Sequence, residues 1–192
     1  MDGFRATRDG GASARFGTAE AYLIRGLVDQ ISAMLSGDEG DLTTLQAELA
    51  DDTAVLGPDA LEELMGLGDP LAPDDPVLAR LLPDAYRDDP EAADEFRKYT
   101  ESGLRSAKRA AARTILSTLP EEGGRVKLSE DEAQDWLRSI NDVRLALGVR
   151  LGVTEEFEEE WRALDPTDPR AAVLEVYAWL GAVQDSLLHA LM

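Results

Sequence analysis

The chain has 192 residues, of which 39 are acidic, 19 are basic and none is cysteine, and these numbers exclude several classes of protein. A formal net charge of −20 argues against nonspecific nucleic-acid binding, which depends on Lys and Arg to neutralise phosphates. The absence of cysteine excludes a disulfide scaffold, and with a single histidine, His189, it also excludes an ordinary zinc site. We see neither a membrane-spanning apolar run nor a signal peptide, so we expect one cytoplasmic domain over 1–192.

Residues 1–17 predict a β hairpin, because Asp9-Gly10-Gly11 is a turn signal between two short alternating segments. Residues 125–128 (RVKL) alternate in the same way and predict a third short strand that enters the following helix directly. Between them, Thr18 caps a first helix over about 19–36, whose broad apolar stripe is typical of a core helix. Together with the helices below, these elements predict a mainly α, single-domain helical bundle with a small N-terminal hairpin.

The region after the first helix is less regular. Residues 42–50 and 59–67 predict two short helices, and five prolines lie between 69 and 90 with aspartates among them. Proline cannot continue a helix interior, so we interpret 69–90 as an acidic, proline-rich connector. It either wraps on the core or acts as a mobile lid, and 77–82 predicts one more short helix within it.

A long helix is predicted from Pro90 to about residue 119, and it has two distinct faces. Its narrow apolar seam consists of Phe96, Tyr99, Gly103, Ala107, Ala110, Ala111 and Thr114. Small residues permit close approach of a neighbouring helix, or of a second subunit in a homodimer. The opposite face carries six of the 19 basic residues, which are Arg97, Lys98, Arg105, Lys108, Arg109 and Arg113.

This basic face of residues 97–113 is the strongest candidate surface in the sequence. We interpret it as a docking surface for an acidic segment of a partner protein. Internal pairing is the alternative, since Glu101 and Arg105 already form an i,i+4 pair. DNA binding through the same face is a further alternative, which the acidic net charge disfavours.

The best-defined helix runs from Ser129 to Leu151, where Ser129 and Glu132 form a capping box. Arg144 falls inside its apolar arc, with Asn141 at the edge of the arc. Gln184 lies within the apolar arc of the last helix, which begins after Asp168. Because a buried guanidinium requires polar partners, we take Asn141, Arg144 and Gln184 as candidate buried polar residues, with Asp142 as a further possible partner. They form either a structural contact or an Arg144-centred pocket of a small-molecule binder or enzyme.

No catalytic or metal-binding pattern is present in the sequence. His189 projects away from the apolar face of the last helix, so a hydrolase would have no suitable base. The chain contains no G-x-S-x-G, G-x-G-x-x-G or phosphate-loop motif. A short acidic helix is predicted over 155–164, and its consecutive glutamates at 155–160 point in different directions and do not converge on one ion. We therefore expect no catalytic residue, no metal and no cofactor.

Four segments resemble an actinobacterial family that was long described as a domain of unknown function, the AosR-like oxidative stress regulators. They are WLRSINDVRLALGVRLGV (136–153), PVLARLLPDAY (76–86), FRKYTE (96–101) and YAWLGAVQDSLL (177–188). The resemblance implies a non-enzymatic regulator that acts in the transcriptional response to oxidative stress through a sigma factor, with a sigma factor or another regulatory protein as its partner. The redox-responsive members use a cysteine pair, and this chain has no cysteine to take that role.

Overall fold

The computed structural model describes residues 2–36, 75–85, 89–153 and 168–192, together with Trp161. These residues form three strands and five helices, in the order β1 Asp2–Ala6, β2 Ala12–Phe16, α1 Thr18–Ser36, α2 Pro76–Leu81, α3 Pro90–Thr118, β3 Gly124–Leu128, α4 Glu130–Leu151 and α5 Pro169–Leu191. The predicted mainly α fold with a small sheet is confirmed. Apart from Trp161, the helices predicted over 42–50, 59–67 and 155–164 lie outside the described residues, as does part of the 69–90 connector. In the described part, no helix is both long and apolar enough to cross a membrane.

The three strands form an antiparallel sheet in the order β1-β2-β3, so the predicted third strand is confirmed. In the β1–β2 turn the amide of Thr7 donates to the Gly11 carbonyl at 2.8 Å, and Gly10 has a φ of 83°. A Cβ added at Gly11 would lie 1.9 Å from the carbonyl oxygen of Leu128. Glycine at this position therefore allows the turn to pass against the end of β3.

The inner face of the sheet packs on α4 through an aromatic cluster. The rings of Phe4 and Phe16 lie 5.5 Å and 5.7 Å from the Trp136 ring, measured between centroids. The Trp136 indole nitrogen donates to Thr118 Oγ1 at 2.8 Å, which ties the cluster to the end of α3. A buried indole N–H needs such an acceptor, so this bond fixes how α3, α4 and the sheet meet.

Both ends of α4 are capped. The Ser129–Glu132 capping box is present as predicted, and Gly152 ends the helix with a left-handed φ of 65°. Near this end, Arg150 Nη2 donates to Asp75 Oδ2 at 2.8 Å. The other carboxylate oxygen of Asp75 accepts from the amide of Val77 at 2.7 Å and caps α2. One carboxylate therefore both starts α2 and anchors it to α4.

The predicted apolar seam of α3 is wrong for most of its length, because the helix faces the opposite way. Phe96 and Tyr99 are exposed, as are Gly103, Ala107 and Ala110, and only Ala111 and Thr114 lie on the inner side. The inner side of the N-terminal half is made of Glu101, Arg105 and Lys108. Their charged groups are satisfied by residues of α1, α3 and α4, which a helical wheel of α3 alone does not reveal.

Candidate functional site

Of the six basic residues of α3, the five whose side chains are described do not form one continuous surface. Lys98 and Arg113 are exposed, and they lie 15 residues apart, which is about 22 Å along a helix axis. Arg109 is half-buried, and its Nε has no hydrogen-bond partner among the described residues. Arg97 lies in the same helix, and its side chain is not among those described. Arg105 and Lys108 turn inwards, so the docking face predicted over 97–113 is interrupted in its centre.

Arg105 joins α3 to the end of α1. Its Nε donates to Glu101 Oε1 at 2.8 Å, which confirms the predicted i,i+4 pair. Its Nη1 donates to the carbonyl oxygen of Leu35 at 3.1 Å, one residue before α1 ends. Cations stabilise the C-terminal end of a helix, where carbonyl groups lack intrahelical partners. The Arg105 guanidinium is therefore engaged within the chain.

Lys108 forms the most buried ion pair among the described residues. Its Nζ lies 2.6 Å from Asp142 Oδ1, and the side chains of Lys108 and Asp142 are 18% and 6% exposed. Burial raises the pKa of the Asp142 carboxyl, and the hydrogen bond and charge of Lys108 counteract part of that rise. The pair holds α3 against α4 and is not free to bind a partner.

The side of α3 opposite these ion pairs is an exposed stripe, formed by Phe96, Tyr99, Gly103, Ala107 and Ala110. We call it the α3 stripe. Tyr99 is 79% exposed and Phe96 is 45% exposed. A Cβ added at Gly103 would meet nothing within 4 Å, so the space above the middle of the stripe is open.

A shallow groove of about 220 Å³ adjoins one end of the α3 stripe. It runs between the residues after α2 and the first half of α3, and it is lined by Leu82, Pro83, Asp84, Ala85, Phe96, Thr100, Glu101 and Leu104. Phe96 belongs to both the groove and the α3 stripe, and the helical wheel had assigned it, with the rest of the stripe, to the interior. The sequence signal for the true inner face of α3 was the row of charged residues at 101, 105 and 108. Charged side chains can be buried only where oppositely charged or hydrogen-bonding partners exist, and the sequence does not show those partners.

Arg144 is held by α5. Its Nη1 donates to Gln184 Oε1 at 2.5 Å, and its guanidinium carbon lies 5.0 Å from the centre of the Tyr177 ring. The guanidinium also lies against Gly181 of α5, where an added Cβ would be in ordinary van der Waals contact with Arg144 Nη2 at 3.5 Å. The structure thus brings Arg144 and Gln184 together, and α5 packs against the guanidinium.

Asn141 does not join this contact. It is exposed, so its predicted burial is wrong, because the buried arc of α4 ends short of it. Asp142, the other possible partner of Arg144, instead binds Lys108 on α3. Within the described ranges, no group of three or more Asp, Glu or His side chains is placed to hold a metal ion.

Comparison with known proteins identifies the family. A family model described as a domain of unknown function, DUF2017, matches residues 1–191. The chain belongs to the DUF2017 family. Proteins named oxidative stress regulator AosR from Mycobacterium tuberculosis strain H37Rv and from Mycobacterium bovis are each 41% identical to this DUF2017 chain over 149 residues, which cover 70% of the chain and 67% of the relative. A Mycobacterium leprae relative with the AosR name is 39% identical over the same length. No solved structure matches the chain significantly.

The family expected from the four sequence segments is confirmed by these matches. The match of the DUF2017 model extends over all eight described elements, from β1 to α5.

Proposed function

We propose that the chain is a non-enzymatic, cytoplasmic regulator of the oxidative stress response that acts by binding another protein. The regulatory part of the proposal is supported by relatives at 39–41% identity that are named oxidative stress regulators. The sigma-factor partner is supported by the family resemblance alone. The chain has no cysteine, so the proposed role is contact with a partner and not thiol-based sensing.

The observation that carries the proposal is the outward orientation of the α3 stripe. Two exposed aromatic residues, Phe96 and Tyr99, stand at its start, and small residues follow. Aromatic side chains contribute large contact areas to protein interfaces, and they are enriched at the positions that dominate binding energy. Gly103, Ala107 and Ala110 would let a partner helix approach closely, since they present little side-chain bulk. The proposed partner contact is therefore a helix laid along α3.

Co-purification with identification by mass spectrometry tests this proposal. Ala107→Glu places a charge in the middle of the α3 stripe without removing any described contact. Ser102→Glu adds the same charge at an exposed position of α3 outside the stripe. We expect a sigma factor or another transcription component to co-purify with the wild type and with Ser102→Glu, and to be lost with Ala107→Glu.

Three results would count against the proposal in different ways. Unchanged recovery of that component with Ala107→Glu would refute the α3 stripe as the contact surface. Failure to recover any transcription component with the wild type would refute the regulatory role itself. Recovery of only a second copy of the chain would assign the stripe to a homodimer instead.

A further inference from the structure

The outer face of the small sheet collects basic residues from all three strands. Phe4, Ala14 and Val126 point inwards, whereas their neighbours Arg5, Arg15, Arg125 and Lys127 are exposed. We call these four residues the sheet patch. In a chain of net charge −20, this small face holds four of the 19 basic residues. Sequence alone does not group them, because β3 is more than 100 residues away from the hairpin.

The strand register places the charges directly beside one another. Arg15 is the cross-strand partner of Arg125, and Ser13 lies between Arg5 and Lys127. Directly opposed side chains in an antiparallel pair have Cβ atoms about 4.5–5.5 Å apart, and like charges there destabilise the sheet. The fold does not require arginine at either position, since any polar residue satisfies an exposed strand face.

Intramolecular pairing neutralises little of the sheet patch. In the described part of the chain, Arg5, Arg15 and Arg125 have no ion-pair partner. Lys127 pairs with Asp9 of the hairpin turn at 2.8 Å, and both side chains are 61% exposed. Among the described ion pairs, the Asp9 carboxylate is therefore the single anion paired with these four cations.

We infer that the sheet patch is a docking site for an extended acidic segment of a partner protein. Alternate residues of a strand lie about 6.6–6.8 Å apart, which is the spacing of Arg125 and Lys127 and also of alternate carboxylates in an extended peptide. Guanidinium groups bind carboxylates with two parallel hydrogen bonds, which gives such a contact direction as well as charge. The inference does not depend on the regulatory role proposed above, because it rests only on the register and exposure of these residues.

Nucleic acid fits this face less well than an acidic peptide. Sheets that bind single strands use exposed aromatic rings as stacking platforms. Here Phe4 and Phe16 point into the core and pack on Trp136, so the outer face offers no ring to a base. A nucleic acid also extends beyond the patch, and its phosphates would meet the acidic remainder of the chain.

Fluorescence anisotropy with a labelled decapeptide of alternating Glu and Ser tests the inference on the full chain. The patch variant is Arg15→Gln with Arg125→Gln. The matched control is Arg80→Gln with Arg138→Gln, which removes the same charge at two exposed arginines elsewhere. We expect the peptide to bind the wild type and the control alike, and the patch variant to bind about tenfold more weakly or worse, because two charge-assisted contacts are lost.

The patch variant is not expected to unfold, because it removes a pair of opposed like charges. Its melting temperature should equal or exceed that of the wild type, which excludes misfolding as the cause of weaker binding. Three outcomes would overturn the inference: no peptide binding by the wild type at low salt, equal weakening by both variants, or binding of a single-stranded oligonucleotide or of phosphatidylserine vesicles in preference to the peptide.

Discussion

The ion pair between Lys108 and Asp142 gives the sharpest prediction about stability. Lys108→Met keeps most of the aliphatic length of the side chain and removes the ammonium group that lies 2.6 Å from Asp142 Oδ1. Asp142 is only 6% exposed, so its carboxylate would remain in the interior without its cation. Removing one partner of a buried pair costs about 3–5 kcal/mol, because the remaining charge is not compensated.

We expect a value near the lower end, about 3 kcal/mol at neutral pH, since the Lys108 side chain is 18% exposed and water reaches it. For a chain of this size each kcal/mol lowers the melting temperature by about 2–4 °C, so the shift should be about 6–12 °C. The double variant Lys108→Met with Asp142→Leu removes both charges. Its free energy of unfolding should lie within about 1 kcal/mol of the wild-type value or exceed it.

The stability deficit of Lys108→Met, meaning its loss of unfolding free energy relative to the wild type, should also depend on pH. Burial already raises the pKa of Asp142 above its ordinary value of 3.8, and the variant loses the opposing effect of Lys108, so the pKa rises further. The folded state then binds a proton more tightly than the unfolded state does. Consequently the free energy of unfolding falls as pH rises through the interval between the unfolded and folded pKa values. The deficit is therefore largest at neutral pH and shrinks on acidification, as Asp142 becomes neutral.

Urea denaturation of the wild type and both variants, at about pH 7.5 and about pH 5, measures these differences. A Lys108→Met deficit below about 1 kcal/mol would show that Asp142 is hydrated or otherwise paired. A large deficit that is equal at both pH values would refute the explanation by an uncompensated carboxylate.

Substitutions at three other positions are expected to destabilise the fold, each measured by thermal and urea denaturation. Asp75→Ala removes both the cap of α2 and the bond from Arg150 and should cost about 1–3 kcal/mol, whereas Asp75→Asn should cost less because it keeps an acceptor. Thr118→Val leaves the buried Trp136 indole N–H without its acceptor and should cost about 1–3 kcal/mol, with a change in tryptophan fluorescence. Ser129→Ala breaks the capping box and should cost about 1 kcal/mol, and a loss below about 0.3 kcal/mol would contradict the role of the cap.

The elements that the sequence predicted well are those with local signals. The capping box at Ser129 defines the start of α4, and alternation over 125–128 defines β3, so both were predictable from neighbouring residues. The hairpin turn has a positive φ at Gly10, and the Asp9-Gly10-Gly11 sequence predicts such a turn because glycine tolerates that conformation. Each of these signals acts within a few residues, and tertiary packing does not override it.

The orientation of α3 was not predictable, because its inner face is polar. Arg105 is satisfied by the Leu35 carbonyl and Lys108 by Asp142, and both partners come from other helices. A wheel that ranks positions by hydrophobicity therefore turns this helix the wrong way. The contact of Arg144 with Gln184 also joins polar side chains of two different helices, 40 positions apart in the sequence.

The sheet patch could not be predicted from the sequence either. Arg5, Arg15, Arg125 and Lys127 each look ordinary on a short alternating strand. Only the β2–β3 register, in which Arg15 faces Arg125, shows that the charges accumulate on one face. Grouping of residues across distant strands is a property of the assembled sheet.

The regulatory role is tested most directly by the transcriptional response to peroxide in the organism that encodes this chain. The transcript profile is measured in the wild type, in a deletion strain, and in deletion strains complemented with the natural gene or with Ala107→Glu. The proposal predicts that deletion alters the peroxide-induced profile, that the natural gene restores it, and that Ala107→Glu does not. Identical peroxide responses with and without the gene would contradict the proposed function.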